Sequence, residues 1–383
     1  MENRVKSSSI MKLFPVLFSF FVMGFVDVVS LSTSYVKNDF GLNDKLANLL
    51  PMMVFLWFAI CSLPTGALMD KIGRKKTVLL SAVVTFVAML IPLISYTFIM
   101  VLMAFALLGI GNTILQVSLN PLLMNVVRKE RVTSMLTLGQ FIKAISSTLG
   151  PVIIGVAVGT FGNWKLIFPT YAIFTAISWV WLAKVSIDEE QICSNEKKNI
   201  IGLLKDSYLL MLFSIILLIV GFEIGLMTVV PKYLEERCAM PIEKAGLGCS
   251  LYFIARTIGT FAGSILLAKI PSRKFLIWNM IAAIIAFLCL MFSDGEWIIF
   301  GAIFFVGLFC ANVFAVAFSA AIQSNQERAN DISAFMIMGV AGGALIPPIM
   351  GIIADASSQF MSLFVLIFIL GYIFITSFKL KNK

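Results

Sequence analysis

Long apolar runs constrain this chain more than any other feature, because twelve of them follow one another with little polar sequence between. They cover residues 13–36, 46–69, 77–96, 98–127, 133–160, 164–184, 207–233, 244–269, 275–293, 296–323, 332–355 and 359–379. A helix needs about 20 mainly apolar residues to cross a bilayer. Hydrophobic residues make up 60% of the 383 residues and charged residues 13%, whereas soluble chains carry about a quarter charged residues. The sequence therefore predicts an all-α membrane protein with twelve transmembrane helices.

Lysine and arginine are concentrated in alternate loops. If the N-terminus is cytoplasmic, the loops on the opposite side carry only Lys37, Lys45, Lys165, Lys232, Arg237 and Lys244. Basic residues accumulate on the cytoplasmic side of membrane proteins. We therefore expect both termini to be cytoplasmic. The net charge of +9 then reflects topology, and nucleic acid is not an expected partner.

Two short patterns recur at an offset of about 200 residues. The loop Asp70–Lys75 after span 2 resembles Ala268–Lys274 after span 8, and Gly150–Gly155 in span 5 resembles Pro347–Gly351 in span 11. Internal repeats of this kind are common in secondary transporters. We predict two pseudo-symmetric six-helix bundles, at 1–185 and 207–383, joined by a charged cytoplasmic linker at 186–206.

Four charged side chains lie well inside the apolar runs: Asp27, Lys143, Glu223 and Arg256. A charge in hydrocarbon is costly, so each predicts a partner or a function. We interpret Glu223 and Arg256 as a structural charge pair. Asp27 and Lys143 are the candidates for proton coupling, because the chain has no histidine and a proton relay must then rest on carboxylates. Two structural salt bridges are the alternative.

Polar side chains recur at helical spacing on three spans. Each set forms a stripe along one helix face. Stripes that face inward would line a wet cavity, and their amide and hydroxyl groups suit sugar hydroxyls; hydrogen bonding between helices is the alternative. The stripes are Asp27, Ser30 and Ser34 on span 1, Asn112, Gln116 and Asn120 on span 4, and Gln140, Lys143 and Ser147 on span 5. The substrate-binding candidates are Ser30, Asn112, Gln116, Asn120 and Gln140, together with Asn312 in span 10.

The loop Gly66–Lys76 after span 2 combines spaced glycines, an aspartate and a basic run. Gly66 and Gly73 permit close packing and a tight turn, and Asp70 is suited to a helix N-terminus. The pattern resembles the signature loop of the major facilitator superfamily, which in that family helps to latch the cytoplasmic side. The resemblance implies the major facilitator fold and a cytoplasmic gate formed by Gly66, Asp70, Gly73 and Arg74.

Further segments resemble the fucose–proton symporter family within that superfamily. They are Gln116–Pro121 in span 4, Gly221–Glu223 in span 7, Ala255–Gly259 in span 8 and Gly342–Asp355 in span 11. Members of the family import hexoses or deoxyhexoses with protons across bacterial inner membranes. This chain has Gln116 where the family has a glutamate, and the family's span 1 aspartate falls near Ser30. Asp27 lies one turn from Ser30 and takes over the proton in this interpretation, while Lys143 has no counterpart in the family pattern.

Together these patterns predict a secondary transporter of a bacterial inner membrane that imports a sugar or sugar derivative by alternating access, with proton symport. Its expected partners are the sugar, the proton and the lipid bilayer. The sequence contains no nucleophile–base set, phosphate-binding loop or cysteine pair with metal-ligand spacing, so we expect no enzymatic activity, cofactor or metal. The alternatives are an uncoupled sugar facilitator, a transporter of an anionic sugar, a drug exporter and a non-transporting membrane receptor.

Two native cysteines test the predicted orientation. In variants that keep one cysteine each, Cys193 in the linker should be shielded from an impermeant thiol reagent added to intact cells, and Cys238 at the outer end of span 7 should be labelled. Labelling after permeabilisation controls for the reactivity of each thiol. If intact cells show labelling of Cys193 and none of Cys238, the orientation is reversed.

Overall fold

The computed structural model describes residues 2–42, 46, 49–189, 203–238 and 247–381, and all contacts below are among them. Within this part of the chain, twelve helices are long and apolar enough to cross a membrane, so the predicted all-α fold with twelve spans is confirmed. The predicted start of span 8 at 244 falls outside the described residues. Spans 2 to 9 and span 12 are single α-helices, which cover Leu49–Ile72, Arg74–Ile94, Phe98–Val126, Val132–Phe161, Ile167–Lys184, Ser207–Cys238, Leu247–Leu266, Ser272–Phe292 and Gln359–Ser377.

Spans 1, 10 and 11 are interrupted. Span 1 consists of Glu2–Met23, a 3₁₀ turn at Gly24–Val28 and Val29–Phe40; span 10 of Glu296–Cys310 and Val313–Ser324; span 11 of Ala329–Met338, a 3₁₀ turn at Gly339–Ala341 and Gly342–Ala356. None of the interruptions contains a proline, although Pro15 lies inside the first helix of span 1. A break frees backbone groups that the protein itself must satisfy within a membrane. Contacts with other spans therefore make these breaks possible.

The chain forms two compact units. The first contains Met1–Val132, Ile142–Asn199 and Asn325–Met338. The second contains Thr133–Phe141, Ile200–Ser324 and Gly339–Lys383. The start of span 11 thus belongs with spans 1 to 4, and the start of span 5 belongs with spans 7 to 10.

Glycines bring helices of the second unit into close contact. A Cβ atom on Gly259 of span 8 would overlap the carbonyl oxygen of Leu308 and lie 2.8 Å from the Cβ of Ala311, both in or next to span 10. A Cβ on Gly225 of span 7 would lie 2.5 Å from the sulfur of Met350 in span 11. Small residues promote helix association in membranes because they let backbones approach. These glycines therefore fix the spacing of spans 8 and 10 and of spans 7 and 11.

A polar cluster in the first unit joins the far end of span 1 to two loops. Asp39 accepts hydrogen bonds from Tyr96 Oη at 2.5 Å and from Trp164 Nε1 at 2.9 Å. The amino group of Lys165 lies 3.7 Å from the centroid of the Tyr96 ring, which is a cation–π contact. Burial and the bond to Asp39 raise the pKa of Tyr96. The phenol thus stays protonated and keeps donating at physiological pH.

We predict that Gly259→Ala destabilises the protein by about 1–3 kcal/mol, because the new Cβ meets the backbone of Leu308 rather than the end of a flexible side chain. Gly301→Ala in span 10 is the matched control, since its Cβ would meet no heavy atom within 4 Å. There alanine should be neutral or favourable by up to about 1 kcal/mol through helix propensity. Thermal unfolding in one detergent compares the three proteins, and equal stability of the two variants would contradict the packing argument.

Candidate functional site

Asp27 lies in the 3₁₀ turn that interrupts span 1. Its side chain is exposed, and the hydroxyl of Ser147 in span 5 donates a hydrogen bond to Asp27 Oδ2 at 2.5 Å. The same hydroxyl lies 3.0 Å from the carbonyl oxygen of Lys143, one turn earlier in span 5. A hydroxyl has one proton to donate. Ser147 can therefore leave Asp27 and still keep an acceptor, which makes the bond to the carboxylate exchangeable.

Lys143 is half-buried and forms no ion pair with any residue that the structure describes. Sequence reasoning grouped it with Asp27, but in the described part of the chain the two are linked through Ser147, which contacts the Asp27 side chain and the Lys143 backbone. The helices approach closely here, because a Cβ on Gly24 would lie 2.8 Å from the Cβ of Ser146. A cation without a carboxylate is costly at membrane depth. Lys143 is therefore a site where an anionic group would be stabilised.

The polar stripe on span 4 is buried and hydrogen-bonded inside the first unit. Asn112 Nδ2 donates to the carbonyl oxygen of Met23 at 2.8 Å. Gln116 Nε2 donates to Asn112 Oδ1 at 2.7 Å, and Asn120 Nδ2 donates to the Gln116 carbonyl at 2.7 Å. Met23 is the last residue before the break in span 1. In this conformation the stripe thus supports the turn that presents Asp27.

The other substrate-binding candidates lie in different parts of the fold. Gln140 is buried near the start of span 5, and Asn312 is buried at the break in span 10. Asn312 donates to the Gly259 carbonyl at 2.9 Å, while its Oδ1 is buried and unpaired among the described residues. The Oδ1 of Asn120 is in the same condition. The side chain of Ser30 lies outside the described part of the chain.

Glu223 and Arg256 form an ion pair in the second unit, with Glu223 Oε1 at 2.9 Å from Arg256 Nε. Tyr252 Oη donates to the same oxygen at 3.3 Å. The side chains of Glu223 and Arg256 are 16% and 19% exposed, so most of each is withdrawn from the surroundings. The pair is neutral as a whole, which reduces the unfavourable free energy of holding either charge inside a span. The structure thus brings together the two residues that the sequence suggested as partners.

The signature loop contacts the start of span 11, and these contacts lie inside the first unit. Arg74 is buried and donates from Nε to Asn330 Oδ1 at 2.7 Å. Asp70 accepts from Asn330 Nδ2 at 2.7 Å. A Cβ on Gly66 would lie 2.9 Å from the Cβ of Ala334. Asn330, which sequence reasoning missed, is therefore the residue on which Asp70 and Arg74 converge.

A carboxylate that follows span 6 caps the helix of span 3. Glu189 accepts hydrogen bonds from the backbone N–H groups of Arg74 at 2.6 Å and Lys75 at 2.7 Å. Gly73 has a φ of +89°, a conformation that favours glycine. The free N–H groups and the helix dipole stabilise an anion at this position. The sequence favours Asp70 for such a role, but Asp70 instead bonds to a side chain, and Glu189 takes the helix end.

Hydroxyl groups hold the starts of spans 5 and 11. In the second unit, the hydroxyl of Thr133 lies 2.6 Å from that of Ser319, and Ser134 donates to the carbonyl oxygen of Ser264. In the first unit, Ser333 at the start of span 11 donates to the Val117 carbonyl at 2.6 Å. The two helix starts correspond under the internal repeat. Each repeat therefore contributes one helix start that is held by hydroxyl hydrogen bonds.

Twelve spans, a repeated six-span pattern and a charged residue in an interrupted helix are features of polytopic transport proteins. Residues 13–247 and 211–382 match the sequence profile of the Major Facilitator Superfamily. The chain belongs to this superfamily; it is a multi-pass membrane protein of a transporter family and not an enzyme. The superfamily resemblance of the signature loop is thereby confirmed.

Known relatives and solved structures are similar to this chain over most of its length. The glucose/galactose transporter of Brucella abortus biovar 1 (strain 9-941) is 27% identical over 361 residues, which cover 88% of this chain and 86% of the relative. The fold is similar to that of the E. coli fucose:proton symporter, with a TM-score of 0.84 and 15% identity over 98% of this chain and 100% of that one. The fold is also similar to that of a proton:xylose symporter bound to 6-bromo-6-deoxy-D-glucose. The TM-score is 0.77 and the sequence identity 12%, over 98% of this chain and 96% of the symporter. The structural likeness establishes the fold.

We predict that Glu223→Gln or Arg256→Gln alone destabilises the protein by about 3 kcal/mol, because each leaves a lone charge largely withdrawn from its surroundings. The double variant should recover most of this loss, since it leaves no charge without a partner. Thermal unfolding of the four proteins in one detergent measures the coupling between the two sites. A double variant no more stable than the worse single variant would show that the pair is not a structural unit.

Proposed function

We propose that the protein imports a sugar or a sugar derivative across a bacterial inner membrane by alternating access, with proton symport. The Brucella abortus relative is named a glucose/galactose transporter, and two proteins of similar fold are named as sugar:proton symporters. Sugar hydroxyls donate hydrogen bonds, and Asn120 and Asn312 each offer a buried, unpaired acceptor oxygen. The distribution of lysine and arginine among the loops supports cytoplasmic termini.

Asp27 is our candidate for the proton carrier. The observation that carries this assignment is its place in the interrupted part of span 1, exposed and held by the exchangeable bond from Ser147. Transporters commonly bind coupling ions at broken helices, because the break offers polar groups at membrane depth. Gln116 stands where the related family has a second carboxylate; it cannot take a proton and is bonded to Asn112.

Protonation of Asp27 would change the contact between spans 1 and 5. The ionised carboxylate is a stronger acceptor than the protonated acid, because charge-assisted hydrogen bonds are stronger. When Asp27 takes up a proton, Ser147 is free to favour the carbonyl oxygen of Lys143, which already lies 3.0 Å away. The side-chain tie between the two spans is then loosened. Proton uptake thereby allows span 1 to move relative to span 5.

The hydrogen-bonded starts of spans 5 and 11 are our candidates for the gate. Alternating access needs contacts that break and re-form as one repeat rocks against the other. Asn330 and Ser333 hold span 11, and Thr133 and Ser134 hold span 5, all through side-chain hydrogen bonds. Each such bond contributes about 1 kcal/mol net. A few of them can therefore be balanced by the binding energy of a substrate.

Transport of an anionic sugar derivative is the second candidate, and Lys143 favours it. This amine is half-buried in span 5 and forms no ion pair within the described residues. A substrate carboxylate would supply the missing counter-charge. Asp27, a like charge to such a substrate, would then weaken its binding rather than drive its uptake.

We predict that Asp27→Asn abolishes pH-driven accumulation of labelled D-glucose or D-galactose in proteoliposomes but retains exchange across the membrane. A gradient of one pH unit drives at most about tenfold accumulation through one proton, and the variant should show none. The membrane potential adds about 2.3 kcal/mol per 100 mV to the driving force for uptake only if a proton moves with the sugar. Thr33→Ala, on the same span, is the control for general damage to span 1, because its hydroxyl donates to the carbonyl of Val29 in its own helix.

The same assay separates the second candidate. With a labelled uronate or sialic acid, Lys143→Met should abolish binding if the substrate is anionic, and Asp27→Asn should tighten it. With neutral sugars, Lys143→Met should leave binding measurable. Accumulation by Asp27→Asn under a pH gradient would show that Asp27 is not the carrier.

A further inference from the structure

Tyr171 of span 6 lies against the turn that contains Asp27. Its side chain is 1% exposed, and its hydroxyl has no hydrogen-bond partner among the described residues. Its ring stacks on Phe25, with centroids 3.8 Å apart and planes 8° from parallel. A Cβ on Gly150 would lie 2.9 Å from Tyr171 Oη and 3.4 Å from a methyl group of Val28. The hydroxyl is therefore fixed beside the 3₁₀ turn, where spans 1, 5 and 6 meet.

A buried hydroxyl without a partner is unfavourable, and phenylalanine would fill the same volume without it. We therefore expect the hydroxyl of Tyr171 to form a hydrogen bond in another state of the protein. The same Cβ position on Gly150 places the hydroxyl near Val28, the residue that follows Asp27 in the turn. Among the described residues, the carboxylate of Asp27 accepts a hydrogen bond from Ser147 alone, at Oδ2. Asp27 thus has acceptor capacity to spare next to an unused donor.

We propose that Tyr171 is a positioning residue that donates a second hydrogen bond to the ionised Asp27 carboxylate, directly or through one water, when the turn rearranges during transport. This rests on the coupling role proposed for Asp27. A hydroxyl bonds more strongly to a carboxylate than to a protonated acid. Tyr171 thereby stabilises the ionised state and sets the pH at which Asp27 gives up its proton.

Few other groups near the turn can play this part. Lys143 is the charged group of span 5, and span 6 carries Tyr171 and, in its last turn, Lys184. Span 4 carries no titratable side chain between Phe98 and Val126. Tyr35, Lys37 and Asp39 lie two or more turns further along span 1. The unpaired hydroxyl of Ser146 faces Gly24, at the opposite end of the turn from Val28.

The test is a pH titration of the full-length protein in liposomes, followed by infrared spectroscopy. The signal is the carbonyl band of the protonated acid that Asp27→Asn removes. Tyr171→Phe keeps the ring on Phe25 and removes only the hydroxyl, so the midpoint of this band should move up by about one pH unit. Gly150→Ala keeps the hydroxyl but places a Cβ 2.9 Å from it, and should move the midpoint in the same direction. The pH dependence of labelled D-glucose uptake should shift to higher pH in both variants.

Ser32→Ala is the matched control, because it also removes a buried, unpaired hydroxyl from this unit and should leave the midpoint unchanged. A midpoint that Tyr171→Phe leaves in place, or moves to lower pH, would overturn the inference while the coupling role of Asp27 stands. An equal shift in Ser32→Ala would also overturn it, because the effect would then be general. If Asp27→Asn removes no band at any pH, the proposed carrier itself is wrong, and the inference falls with it.

Discussion

The rest of this structure depends on one constraint: within a membrane, every backbone polar group must find its partner inside the protein. Continuous helices meet that demand alone, and nine of the twelve spans are continuous helices in the described chain. The break in span 1 is tolerated because Asn112 reaches across from span 4 to the carbonyl of Met23. The polar network of span 4 thus stabilises the break in span 1, and the break in turn exposes the Asp27 carboxylate.

In each repeat, hydroxyl hydrogen bonds hold the start of one span, which is span 5 in the first repeat and span 11 in the second. Span 5 begins among helices of the second unit and span 11 among helices of the first, each held by hydroxyl groups near its first turn. Around span 11 this contact is reinforced by Asp70, Arg74 and Asn330, whereas the described hydrogen bonds at the start of span 5 join neutral groups. The two helix starts are thus tied with unequal strength.

The sequence predicts the fold almost completely, because hydropathy and loop charge record what a bilayer demands of each segment. The partnership of Glu223 with Arg256 is also predictable, since two opposite charges in neighbouring spans have few other solutions. The break at Gly24–Val28 is not predictable, because no proline marks it and its support comes from Asn112, far away in sequence. The cap by Glu189 is equally non-local. What escapes sequence reasoning is thus the set of contacts made by side chains across spans.

The cap on span 3 also defines the tether between the repeats. Glu189 is fixed to the backbone of Arg74 and Lys75 at one end, and Asp206 accepts from the N–H groups of Tyr208 and Leu209 at the start of span 7. Only residues 190–205 lie between these two anchors. Fully extended, they reach at most about 60 Å. Two carboxylates thus hold the ends of this connection at helix starts, Glu189 at span 3 and Asp206 at span 7.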